Sequence, residues 1–205
     1  MNEAEVLDKL ENQLGFSKLS LIKIKKFHDY LVEYNYRYNL ISKNTVKNIW
    51  FRHILDSAQI VDLLFSEKIN KIADFGSGAG FPGIIIAFFN EKLRFHVKLY
   101  EKSPVKRAFL QKVKEVLEIQ NLDICDDVYE KEIIADIIVC RAFKKLGEIL
   151  KISREVIRKP HKMIILKGKN AQEELNKLSL GSNYSYKLKR SITDDDSKII
   201  IVDAK

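Results

Sequence analysis

Residues 71–90 read KIADFGSGAGFPGIIIAFFN. Ile72 to Phe75 is a short apolar run carrying one carboxylate, Asp74, in the style of a buried parallel strand. Glycines follow at 76, 78, 80 and 83, and then an apolar stretch, Ile84 to Phe89, suited to a helix. Pro82 falls at its first turn, where a missing N–H costs nothing. Strand, glycine turn and helix make the corner at which open α/β sheets bind phosphates or nucleosides. Glycine lets the backbone approach a ligand without a Cβ in the way.

Two ligands compete for such a corner. Gly78, Gly80 and Gly83 fit G-x-G-x-x-G, the dinucleotide fingerprint. The same segment, read as Asp74-x-Gly76-x-Gly78-x-Gly80, resembles the S-adenosylmethionine loop of class I methyltransferases. A carboxylate two residues ahead of the first glycine suits a ligand bearing an ammonium and repels a pyrophosphate. That favours the methyl donor over NAD.

Outward from this corner the chain alternates. Strands are predicted at 72–75, 94–101, 122–125, 135–141, 163–167, 185–189 and 198–202, with helices at 83–90, 104–119, 145–157 and 170–178 between the first five. Alternation predicts a parallel sheet with right-handed crossovers. Only a short turn, residues 191–197, separates the last two strands, so that pair must be antiparallel. The expected fold is therefore α/β, a Rossmann-like class I S-adenosylmethionine-dependent methyltransferase of seven strands. A dinucleotide fold would want a sixth strand reached through another helix.

Ahead of the sheet, residues 1–65 read as a helical extension to a methyltransferase domain at 66–205. A short helix at 3–14 ends on Gly15, and a longer one opens at Ser17 or Ser20. Its predicted apolar stripe is Leu19, Ile22, Phe27, Tyr30, Leu31, Tyr34 and Tyr38. Residues 45–65 read as one further helix with Trp50, Ile54, Ala58 and Val61 on a stripe. The tyrosines at 30, 34, 36 and 38 fit either a core face or a surface that stacks on RNA bases.

With 205 residues, 46% of them hydrophobic and 31% charged, the chain can bury a sizeable core. No apolar run is long enough to cross a bilayer, and Glu3 and Glu5 argue against a secretion signal. Cys125 and Cys140 form neither a disulfide framework nor a zinc pattern, so a cytoplasmic protein without a metal is expected. The net charge is +8, and seven Lys or Arg against two acids lie in residues 15–50. Such a surplus favours phosphate-rich partners.

Ligands of open sheets sit beyond the C-terminal strand ends. There the sequence places Glu101, 21 residues past Gly80 and suited to both ribose hydroxyls. Asp126, Asp127, Val128 and Tyr129 follow the third strand, where an adenine could stack. Arg141 ends the fourth strand and Lys167 the fifth, two cations suited to phosphate or base contacts.

Six ordered blocks carry a closer likeness: YNL at 38–40, RHILDS at 52–57, DFGSGAGFPG at 74–83, KRAFL at 106–110, CRAF at 140–143 and LKG at 166–168. Over nearly its whole length the chain resembles the glucose-inhibited division protein B family, guanine-N7 methyltransferases of bacterial small-subunit (16S) ribosomal RNA. The resemblance implies methyl transfer from S-adenosylmethionine to a guanine of 16S rRNA, on the RNA or the small ribosomal subunit; nothing in the sequence demands more than a monomer. The resemblance places cofactor contacts at Gly76, Phe81, Val128, Tyr129 and Arg141, to which the glycine loop and the strand ends add Asp74, Ser77, Gly78, Gly80, Glu101 and Asp127. It also implies that Asn39 and His53 face the substrate; Lys167, at its strand end, is expected on the same side, and Arg141 is expected to orient the reactants. Many members carry a basic residue where this chain has Asp127. A non-catalytic RNA-associated protein and an NAD-dependent oxidoreductase are the alternatives.

Overall fold

A computed structural model describes residues 1–64, 69–89, 95–129, 132–178 and 181–205. Seven strands, β1 (Lys71–Phe75), β2 (His96–Tyr100), β3 (Leu122–Cys125), β4 (Ile137–Arg141), β5 (His161–Lys167), β6 (Tyr184–Arg190) and β7 (Lys198–Ala204), form one sheet in the order β3-β2-β1-β4-β5-β7-β6. The first five are parallel. β7 runs antiparallel to both β5 and β6, as the hairpin predicts, and takes the place of a sixth parallel strand. Strand order reverses between β1 and β4, so a crevice opens there beyond the strand ends. Of the predicted second strand, Arg94 lies outside the described residues, as does Asn90 at the end of the first predicted crossover helix.

The central strands β1 and β4 are buried on both faces and read as continuous apolar runs. Side-chain alternation divides their residues between two cores. Ala73, Phe75, Ile138 and Cys140 face α7 (Leu146–Val156) and α8 (Ala171–Asn176). Ile72, Ile137 and Val139 face α5 (Gly83–Phe89) and α6 (Pro104–Val116). β6 is an exposed edge rich in lysine, a composition that discourages strand addition.

The N-terminal helices cover that second core. α1 (Glu3–Asp8) starts in a capping box between Asn2 and Glu5 and continues as a π-helical turn, Lys9–Gln13. α2 (Lys18–Tyr38) is capped by Ser17 and lies against α5 and α6. Phe27 brings its ring within 5.4 Å of Phe81 and 6.1 Å of Phe88. Sandwiched between sheet and α2, the seven residues of α5 are all buried, which is why GIIIAFF is apolar all round. The expected division at residues 65 and 66 falls outside the described residues, and the parts on either side share one apolar cluster.

Two helical expectations need correction. The buried face of α2 is Ser20, Leu21, Ile24, Phe27, Leu31 and Asn35, whereas Leu19 and Ile22 are half exposed. Two polar residues hold that face: Ser20 donates to the Phe88 carbonyl at 2.7 Å, and Asn35 accepts from the Ile41 N–H at 2.8 Å. The single helix predicted at 45–65 is instead broken. α3 (Lys43–Val46), a π-helical turn (Trp50–Leu55), α4 (Asp56–Ala58) and a 3₁₀ turn (Val61–Leu64) succeed one another. In the π turn the Arg52 carbonyl accepts from Arg141 at 2.9 Å, so a contact from β4 competes with regular winding. Among the described residues no helix is long and apolar enough to cross a membrane.

Candidate active site

Gly76, Gly78 and Gly80 take φ of +70°, +59° and +99°, backbone that side chains rarely tolerate. The N–H groups of Gly76 and Ser77 donate to the Tyr100 carbonyl at 2.9 and 3.0 Å, pinning the turn to the end of β2. Asp74 ties down the far side: its Oδ2 accepts from the Gly83 N–H at 2.9 Å. A Cβ on Gly83 would stand 2.7 Å from that oxygen and 2.2 Å from Leu99, so only glycine fits. Asp74 is fully buried, and burial pushes its carboxyl up to about 7. Its Oδ1 has no hydrogen-bond partner among the described residues. The expectation that Asp74 meets a ligand ammonium is thus not how the structure places it. It lies beneath the turn, outside the cavity wall.

Above the turn opens a cavity of about 580 Å³, a size suited to a nucleoside-bearing ligand. Four consecutive strand ends line it. Gly76, Ser77, Gly78 and Phe81 follow β1, Glu101 follows β2, Asp127, Val128 and Tyr129 follow β3, and Arg141 closes β4. Leu40, Ile41 and His53 complete the wall from the N-terminal side. A Cβ on Gly78 would meet nothing nearer than the Gly76 carbonyl at 3.9 Å, so the space above it is open to a ligand. Gly80, by contrast, is packed against Ile84 and Leu110 and stays behind the wall.

Glu101 is buried, and each of its oxygens already accepts a backbone N–H: Gly78 on Oε2 and Ser103 on Oε1, both at 2.8 Å. Each oxygen keeps a further lone pair. Glu101 therefore joins the glycine turn to the start of α6 as well as facing the cavity. Val128 is buried, while Tyr129 is more than half exposed. A cation from α6 stands beside this segment. Arg107 pairs with Asp126 at 2.7 Å and donates to the carbonyls of Glu101 and Lys102, both at 2.8 Å. Arg107 stands within KRAFL, but its reach across two strand ends has no local signal.

Arg141 is the polar centre of the opposite wall. Its Nη1 donates to the Arg52 carbonyl at 2.9 Å and to Asp56 Oδ2 at 3.3 Å, and its Nη2 lies 2.6 Å from His53 Nδ1. The guanidinium stands 5.2 Å over the Phe81 ring, and His53 stacks on the same ring at 5.1 Å. Burial, then the charges of Arg141 and Arg52, hold His53 down at about 3. Asp56 is anchored in turn: Oδ1 accepts from Thr193 at 2.7 Å and from Gln59 at 2.8 Å. Gln59 Oε1 takes the Ile192 N–H at 2.8 Å, so the β6–β7 turn is fastened to the wall that holds Arg141. Asp56, Gln59 and Thr193 were missed in the sequence. Asp56 lies in RHILDS, but two of its partners, Arg141 and Thr193, are more than eighty residues away.

A second cavity, about 430 Å³, lies across that wall and shares Thr45, His53, Arg141 and Ala142 with the first. Lys167 lines this second cavity, with its ammonium on Glu174 at 2.8 Å and the Lys144 carbonyl at 3.0 Å. Asn39 lines neither. It ends α2 in the left-handed conformation, φ +48°, that asparagine tolerates better than most residues.

The family model described as rRNA small subunit methyltransferase G matches residues 20–197. A ribosomal RNA small subunit methyltransferase G from Orientia tsutsugamushi (strain Ikeda) is 34% identical over 197 residues, 96% of each chain. One from Pelagibacter ubique is 37% identical over 196 residues, covering 93% of this chain and 91% of its own. Among solved structures, M. jannaschii TYW2 in complex with AdoMet is similar with a TM-score of 0.53 at 15% identity, covering 74% of both chains. Precorrin-6y C5,15-methyltransferase from Geobacter metallireducens gives 0.52 at 13% identity, covering 81% of this chain and 90% of that one. At such identities the likeness is one of fold.

Proposed function

The chain belongs to the rRNA small subunit methyltransferase G family, and from its cavity we propose that it transfers a methyl group from S-adenosylmethionine to N7 of a guanine in 16S ribosomal RNA. One observation carries the reading beyond family membership. The glycine turn, Glu101, residues 127–129 and Arg141, named from separate strand ends, converge on a single cavity.

S-adenosylmethionine supplies a methyl group already activated on a sulfonium. The backbone of Gly76 to Gly78 and Phe81 would hold its aminoacyl end, Glu101 its ribose, and Asp127 to Tyr129 its adenine. The free lone pairs of Glu101 and the open space above Gly78 fit that assignment. Asp74 and Gly80 support the turn from behind.

Guanine N7 has a free lone pair, so the reaction removes no proton before attack. The polar wall agrees. His53 is neutral, and its Nδ1 is occupied by a guanidinium that can only donate. It is not a general base. Arg141 and His53 instead set the geometry of the wall that the two cavities share. Alignment of nucleophile and methyl contributes up to ~7–11 kcal/mol in well-oriented reactions. In A-form RNA the N7 edge faces a groove too narrow for side chains, so the target guanine must be unpaired or splayed out. Lys167 and Asn39 would meet the RNA side, and the cations of residues 18–47 its flanking backbone.

A monomer is the proposed working state, and a ribosomal RNA substrate supports the cytoplasm. Calorimetric titration with S-adenosylmethionine and, separately, NAD tests the ligand. Binding of the first alone, followed by transfer of labelled methyl to small-subunit RNA with scission at N7-methylguanosine, is the expected result. Binding of NAD would overturn the reading.

A further inference from the structure

The tyrosines of α2 divide into two sets. Tyr30, Tyr34 and Tyr38 lie one helical turn apart, with ring centroids separated by 6.4 and 6.0 Å. Tyr34 also lies 5.5 Å from Phe109, which fixes the row on the α6 side. Tyr34 packs against the core cluster, whereas Tyr38 at the end of the row is 49% exposed. Tyr36 is 93% exposed, but at about 100° per residue it stands on the opposite face of the helix from Tyr34 and Tyr38.

The row ends at the larger cavity. After Tyr38 the chain turns at Asn39, and Leu40, Ile41 and Ser42 enter the cavity wall. Lys102 and Lys106 stand on the same wall, and no ion pair to either occurs among the described residues. Of the acids close by, Glu101 holds two backbone N–H groups and Asp126 holds Arg107, while Asp127 lines the same wall as the two lysines. A half-exposed aromatic ring two residues ahead of a cleft wall that carries two lysines matches a base and its phosphates.

We infer that Tyr38 is a stacking platform for an unpaired RNA base next to the target nucleotide, with Lys102 and Lys106 on the adjoining phosphates. The inference rests on the RNA reading above and deepens it. Base–aromatic stacking tolerates any sequence, so the platform would hold the strand while target choice is made elsewhere.

Three variants test it: Tyr38→Ala, Tyr38→Phe and Tyr36→Ala. For each, the Kd of a labelled single-stranded RNA, the KM for small-subunit RNA and the Kd for S-adenosylmethionine are measured. Tyr38→Ala should raise the RNA Kd and KM by roughly 5- to 100-fold with cofactor affinity retained. Tyr38→Phe, which keeps the ring, should match the wild type, and so should Tyr36→Ala. An unchanged RNA Kd in Tyr38→Ala overturns the platform, as does equal loss in Tyr38→Phe or in Tyr36→Ala. RNA binding is read apart from methyl transfer. A wild type that binds RNA through Tyr38 but transfers no methyl therefore fails the functional reading alone.

Discussion

His53 Nδ1 faces Arg141 Nη2 at 2.6 Å, and because a guanidinium has no acceptor, the imidazole must accept there and carry its proton on Nε2. The contact fixes the tautomer of His53, and burial, then the charges of Arg141 and Arg52, keep the ring neutral. Its folded pKa of about 3 lies below the ordinary 6.5. Above pH 6.5 both folded and unfolded chains carry a neutral His53, and its stability contribution is fully present. As pH falls from 6.5 toward 3 the unfolded chain takes up a proton that the folded one refuses, and that contribution is lost. His53→Gln should flatten this part of the stability curve, read by urea midpoints between pH 4 and 7. NMR should find the wild-type ring neutral at pH 5, and Arg141→Ala should raise its pKa.

Arg141→Ala removes the one donor set that spans His53, Asp56 and the Arg52 carbonyl. We expect methyl transfer to fall by about 100-fold or more, the scale of a misplaced reactive geometry. Arg141→Lys should recover little, since a point ammonium cannot serve three acceptors arranged for a planar fork. Wild-type turnover in either variant would remove Arg141 from the reaction.

The two ends of the glycine turn should fail differently. Gly78→Val places a branched side chain where a ligand would pass, at a φ of +59°. It should abolish cofactor binding by calorimetry while the helical circular dichroism persists. Gly83→Ala forces a Cβ against Leu99 and Asp74, so it should lower stability by about 1–3 kcal/mol before it affects affinity.

Asp74 has the opposite linkage to His53. Its folded pKa of about 7 stands above the ordinary 3.8 because burial opposes the charge. Its contribution is fully present below pH 3.8 and is lost as pH rises to 7, where the fold must hold a buried carboxylate. Asp74→Asn keeps an acceptor for Gly83 and removes that charge. Its stability relative to wild type should therefore climb from pH 4 to 7 and then level off in denaturant titrations.

RNA affinity should fall steeply with salt, because phosphate contacts release counterions. Lys102→Ala and Lys106→Ala should each reduce the slope of log Kd against log salt by about 1. A flat wild-type response between low and moderate salt would refute the basic face.

The sheet was readable because its signals are local. β1 and β4 are apolar runs broken only by Asp74 and by Lys71 and Arg141 at their ends, β3 is bounded at Leu122 and Cys125 as predicted, and the short turn at 191–197 forces the hairpin. Cavity residues at strand ends followed from the same pattern, since the ends of adjacent parallel strands must lie together. Depth was not readable. Asp74 and Glu101 look alike in sequence, yet one sits under the turn and the other in the wall. The broken helix at 45–65 was also hidden, because Arg141 lies 89 residues from the Arg52 carbonyl it engages. Lys167 was expected at the substrate and is paired with Glu174, an ion pair formed only when α8 folds back on β5. On α2, Leu19 and Ile22 match helical spacing as well as Leu21 and Ile24 do, and only the position of α5 decides between them.

The enclosure of α5 means that the catalytic half cannot be harvested by trimming. A fragment beginning after residue 64 would lay Ile84 to Phe89 bare along their outer side, and the helix that anchors the glycine turn would become a sticky surface. The proposed grip on RNA and grip on the methyl donor would thus be inherited together, as two uses of one slab of packed side chains.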